Sequence, residues 1–122
     1  MTKILFIEDE PTLQKTLSDV LKKENYEVLV SSDGESGLKT AQAEKPDLIL
    51  LDLILPKKDG FAVLQDLKKD ETLKSIPVIV LTNLEGTTDV EKVLELGATT
   101  YLVKANYDLQ EIIFKIKQTL EK

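Results

Sequence analysis

Five short runs of strand-forming residues alternate with five longer stretches of helical periodicity, and this alternation constrains the fold more than any other feature of the chain. The strand candidates are KILFI (3–7), YEVLV (26–30), DLILLD (47–52), PVIVLT (77–82) and TYLVK (100–104). A strand with one wet face alternates apolar and polar residues. These runs are instead nearly continuous in Val, Ile and Leu, as parallel strands covered on both faces are. Between them, Leu13, Leu17, Val20 and Leu21 form an apolar stripe at helical spacing, with Pro11 suited to the first turn. Phe61, Leu64 and Leu67 form a second stripe, and Val90, Val93 and Leu94 a third, which Gly97 is placed to end as a left-handed cap. The last stripe is the clearest: Leu109, Ile112, Ile113, Ile116 and Leu120 follow Asp108 and Glu111, which stand at capping-box spacing. The stretch 34–44 carries the weakest stripe.

Units of this length predict an α/β fold, a doubly wound parallel sheet with helices on both faces. Polar residues at the carboxyl ends of such strands converge on one crevice, where ligands bind. No linker, repeat or low-complexity segment interrupts residues 1–122, so one domain is expected.

Composition removes several kinds of chemistry. The chain has no Cys and no His, which excludes thiol and imidazole catalysis, disulfides and the usual structural zinc sites. Carboxylates, hydroxyls, lysines or a bound ion must do whatever is done. The net charge is −6 and basic residues cluster no further than pairs such as Lys22-Lys23, so direct nucleic-acid binding is not expected. The apolar runs fall far short of the roughly 18 residues of a membrane span. The start, MTKILFIEDE, meets acids too soon for a secretory signal, and a cytoplasmic protein is expected.

The crevice can be populated from the strand ends. Glu8, Asp9 and Glu10 follow the first run, Asp52 ends the third, Thr82 the fourth and Lys104 the fifth. Asp52 is the least ordinary of these, because DLILLDLILP sets a carboxylate in an apolar stretch, where an unpaired charge costs several kcal/mol. Gathered carboxylates raise one another's pKa values unless a cation joins them. A hard divalent ion with oxygen ligands, Mg²⁺, suits the set.

The order EDE, LLDLILPKKDG, LTN and YLVK resembles the receiver domain of two-component response regulators, over the whole chain. The resemblance implies a flavodoxin-like five-stranded sheet in the order 2-1-3-4-5. It implies that Asp52 accepts a phosphoryl group from a phosphohistidine on a histidine kinase or histidine phosphotransfer protein. Asp9, Asp52 and the backbone carbonyl of Ile54 would hold Mg²⁺, with Glu8 acting through water. Thr82 and Lys104 would each contact a phosphoryl oxygen, and Tyr101 matches the aromatic switch position. The surface of the fourth helix, fifth strand and fifth helix would then signal to a downstream protein, from a monomer or a weak phosphorylation-dependent dimer. Such a chain is no dedicated enzyme, though it assists its own phosphorylation and dephosphorylation.

Each residue also has a plainer explanation. Asp52 could cap a turn, Glu8 and Asp9 could favour the positive end of the helix starting near Pro11, and Lys104 could be solvated. Thr82 is ordinary at a strand end, Tyr101 in a half-buried strand, and Gly60 in a turn. A degenerate receiver used as a phosphorylation-independent interaction module is the competing function. A flavin protein on the same fold would want hydroxyls, not three acids, after strand one. A haloacid-type phosphatase would want a carboxylate where Ile54 stands. Two departures from the receiver pattern stand out: Ala105 follows Lys104 where proline is usual, and Asn83 follows Thr82 where a smaller residue is common. Alanine predicts a trans Lys104–Ala105 bond, since a cis bond there costs about 2.5–4 kcal/mol.

Overall fold

The computed structural model describes residues 1–84 and 86–121. Its strands are β1 (Lys3–Ile7), β2 (Glu27–Ser31), β3 (Leu48–Leu51), β4 (Val78–Thr82) and β5 (Thr100–Val103). The helices are α1 (Pro11–Lys23), α2 (Gly34–Glu44), α3 (Gly60–Lys69), α4 (Thr87–Glu95) and α5 (Leu109–Leu120). All strand pairings are parallel, and the sheet order is β2-β1-β3-β4-β5. The doubly wound sheet expected from the alternation is therefore present.

Continuous apolar runs form the central strands because both of their faces are covered. Leu5, Ile7, Ile49, Leu51, Val78 and Val80 pack on one side with Ala41, Val63, Leu64, Leu67 and Val93 from α2, α3 and α4. Ile4, Phe6, Leu48, Leu50, Ile79 and Leu81 pack on the other with Leu17 and Leu21 of α1 and Ile112, Ile113 and Ile116 of α5. Each large side chain buried in this way contributes roughly 1.5–3 kcal/mol.

Local chemistry sets the helix ends. Asp33 and Asp59 cap α2 and α3 by accepting from the amides of Ser36 and Ala62 at 2.7 and 3.0 Å. Asp108 and Glu111 form the expected capping box on α5, and Gly97 takes a positive φ of 109° after α4. The weak stripe of α2 has its own explanation, since the helix packs through small residues. A Cβ at Gly37 would lie 2.7 Å from Ile7 Cδ1.

Several elements differ from the sequence reading. Tyr26 lies before β2, Asp52 lies just past β3, and Lys104 opens a 3₁₀ turn (Lys104–Asn106) rather than closing β5. Leu94 is 47% exposed, because Val93 takes the inward position on the short α4. Gly60 is not in a turn of positive φ. It starts α3 so close to the third strand that a Cβ would lie 2.3 Å from the Asp52 carbonyl oxygen.

Candidate functional site

Register brings the acids together. Ile7 pairs with Leu51, so the residues that follow the two strands, Glu8 and Asp52, emerge side by side, and the Asp52 amide donates to Ile7 O at 3.1 Å. Thr82 pairs with Val103, which puts Lys104 one step beyond the end of β4. A crevice of about 180 Å³ results, lined by Glu8, Asp9, Glu10, Asp52, Ile54, Asn83 and Lys104.

Glu8 and Asp52 are 1% and 5% exposed, whereas Asp9 is open to solvent. One carboxylate oxygen from each of the three lies within 4.8 Å of the others. Lys104 answers part of that charge: its Nζ stands 2.6 Å from Glu8 Oε1 and donates to Asp52 Oδ2 at 3.1 Å. Burial pushes the Glu8 carboxyl above the ordinary value, and the charge of Asp52 adds to the effect. Lys104 and the Glu10 amide, which donates to Glu8 Oε2 at 3.1 Å, oppose it. Burial alone would lower Lys104, yet its pairing with Glu8 and Asp52 outweighs this and holds the ammonium above the usual lysine range. The Lys104–Ala105 bond is trans, and the lysine reaches Asp52 without a cis bond to aim it.

The remaining residues fall at different depths. Ile54 lines the crevice with its side chain 58% exposed, and its amide donates to Asp52 Oδ1 at 3.3 Å. Thr82 does not line the crevice. It is fully buried at the end of β4, and its Oγ1 has no hydrogen-bond partner among the described residues. Tyr101 is half-buried against the core, and its hydroxyl donates to the Leu84 carbonyl at 2.6 Å, tying β5 to the segment after β4. Asn83 and Glu10 also line the crevice; in the sequence, Asn83 carried weight only as a departure from a pattern.

The set fits a hard divalent cation. Every side-chain donor is a carboxylate oxygen, three of them converge, and one ammonium leaves their charge uncompensated. A buried hydroxyl without a partner, next to crevice-lining Asn83, is the kind of donor that an anion entering the crevice would satisfy.

Comparison with known proteins agrees with this geometry. The chain is 38% identical over its full length to the DNA-binding dual master transcriptional regulator RpaA of Synechocystis, of which it covers 50%. It spans about half the length of the first curated relatives it matches. Its fold superposes on the BeF₃-activated receiver domain of Klebsiella pneumoniae RstA with a TM-score of 0.91 at 30% identity, covering 99% of this chain and 100% of that one. The receiver domain of the sensor histidine kinase PA1611 from Pseudomonas aeruginosa, with a magnesium ion coordinated in its active-site cleft, gives a TM-score of 0.89 at 27% identity, covering 99% and 98%. The response regulator receiver domain model matches residues 4–117, and the chain belongs to that family.

Proposed function

We propose that this chain is a phosphorylation-controlled switch in which Asp52 accepts the phosphoryl group. The observation that carries the reading is the placement of Asp52: a nearly buried carboxylate, beside two other acids and bonded to Lys104 at 3.1 Å. A carboxylate kept in so poorly solvated a place is held as a nucleophile. The donor is a phosphohistidine on a histidine kinase or histidine phosphotransfer protein. An Asp52 oxygen forms the new P–O bond as the donor's P–N bond breaks, and the imidazole departs.

Glu8, Asp9 and Asp52 are the residues that would hold Mg²⁺, with the Ile54 carbonyl as a further oxygen and Glu8 acting through water. The ion seen in the PA1611 cleft supports this assignment. Bound Mg²⁺ would offset the charge on an incoming phosphoryl group and on its acceptor. Lys104 already reaches Asp52 and transfers its hydrogen bond to a phosphoryl oxygen. Thr82 supplies the hydroxyl for another, the partner that its buried Oγ1 lacks. Movement of Thr82 toward the phosphoryl group is relayed to Tyr101, whose hydroxyl holds the Leu84 carbonyl. The surface of α4, β5 and α5 then changes for a downstream protein. The chain works in the cytoplasm, as a monomer or weak phosphorylation-dependent dimer, without touching nucleic acid itself. Among the described residues no helix is long and apolar enough to cross a membrane.

The test is incubation with Mg²⁺ and a small phosphoryl donor, read by intact mass. A single added phosphoryl group is expected, lost with chelator and lost in Asp52→Asn. An Asp52→Asn variant that gains the same mass at the same rate would overturn the assignment.

A further inference from the structure

We propose that Gln14 is a positioning residue for the acids Glu8 and Asp9, and that it sets the affinity of the crevice for Mg²⁺. The proposal rests on the metal-assisted reading of the site given above. α1 begins without the usual support: Glu10 at its N-cap makes no side-chain cap bond, and its first turn carries no acid. The segment from Glu8 to Glu10 must be held by other means.

Three bonds do so. The Glu8 amide donates to Ser31 O at 2.9 Å, the Glu10 amide donates to Glu8 Oε2 at 3.1 Å, and Gln14 Nε2 donates to the Glu8 carbonyl. The second hydrogen of the same Gln14 amide reaches Ser32 Oγ at 3.0 Å. One side chain near the start of α1 therefore ties together the end of β1 and the connection between β2 and α2. A glutamine amide has two donors, and here each is spent on a different segment. The Asp9 carboxylate takes no hydrogen bond from any described residue, so its place is set by the backbone that Gln14 grips. A bond that fixes a ligand's backbone before the ion arrives acts on affinity. At saturating ion the geometry is restored, and the maximal rate is spared.

Gln14→Met keeps the length and apolar stem and deletes both donors. Calorimetric titration with Mg²⁺ should show its dissociation constant raised roughly ten-fold. In Mg²⁺-dependent phosphorylation from a small donor, the half-saturating Mg²⁺ should rise in parallel, while the maximal rate stays within about two-fold of wild type. Ser32→Ala, which leaves the bond to Glu8 intact, should shift the constant less than about three-fold. Gln14→His retains a ring donor, should fall between wild type and Gln14→Met, and serves as the working variant if Gln14→Met does not fold. An unchanged Mg²⁺ constant in Gln14→Met overturns the proposal. So does a Gln14→His variant as weak as Gln14→Met, or as tight as wild type where Gln14→Met is unfolded. A wild type that itself does not titrate with Mg²⁺ is a separate failure: it removes the metal-assisted reading and this proposal with it, whatever the variants do.

Discussion

Replacing Asp52 by asparagine preserves the shape of the crevice and removes one of its charges, and the structure allows the consequence for stability to be worked out. In chelator, the substitution deletes an attraction to Lys104 Nζ at 3.1 Å, worth about 5 kcal/mol at an effective dielectric constant near 20. It also deletes repulsions from Glu8 and Asp9, which at the 4.8 Å outer limit of their spacing are worth about 3.5 kcal/mol each. The repulsions win. Water around the exposed Asp9 screens its share, which trims the net gain to about 1 kcal/mol in favour of the variant. For a domain of this size that corresponds to a melting temperature about 4 °C higher. Mg²⁺ closes most of that gap, because a ligand stabilises only the state that binds it. At ten times its dissociation constant it adds about 1.4 kcal/mol to the wild type, and it should add less than half of that to the variant. Thermal melts of both proteins, in chelator and in Mg²⁺, provide the assay. A variant less stable than wild type in chelator would show instead that the bond to Lys104 outweighs the repulsion.

Other consequences concern neighbouring residues. Burial raises Glu8 above its ordinary value of 4.5, so over that window the folded protein keeps a proton that the unfolded chain releases. Stability in chelator should therefore fall as pH rises from just below 4.5 through the raised folded value, and melts across pH should show that segment flattened in Glu8→Gln, with the variant the more stable at pH 7. The acyl phosphate should be long-lived, since neither Ile54 at the crevice nor Leu84 beyond Asn83 carries a group able to orient a hydrolytic water. Polar replacement of either should shorten its lifetime, and unchanged decay in both variants would contradict that account. Tyr101→Phe removes the 2.6 Å bond to Leu84 O and should cost about 1 kcal/mol in denaturant unfolding, with faster amide exchange just after β4.

The fold was legible because its signals are local and repeated. Continuous Val, Ile and Leu runs announced β1, β3 and β4 as strands buried on both faces, while β2, at the sheet edge, leaves Val30 exposed, and Asp108 with Glu111 marked the start of α5. Errors lay where periodicity underdetermines direction. Val93 and Leu94 are adjacent, so a short helix can turn only one of them fully inward, and nothing in the pattern says which. The gathering of Glu8, Asp9, Asp52 and Lys104 was legible because parallel topology sends every strand end to the same edge. The pairing of Lys104 with Glu8 was not, since it spans the sheet from β5 toward β1 and depends on where a long side chain reaches after a 3₁₀ turn. Gln14 was overlooked for a related reason. An isolated glutamine on an exposed helix start carries no pattern, and only the position of the Glu8 carbonyl gives it a task. Gly60 suggested a turn, whereas the approach of the Asp52 carbonyl is what excludes a side chain there.

Asp52 is the proposed destination of the phosphoryl group. The most direct measurement is to phosphorylate the protein from a small donor in Mg²⁺, reduce the acyl phosphate with borohydride, and sequence the peptides by mass spectrometry. Homoserine is expected in place of aspartate at position 52 and nowhere else, and only when donor and Mg²⁺ are both supplied. Homoserine at position 9, or an adduct that survives reduction with Asp52 unchanged, would contradict the assignment.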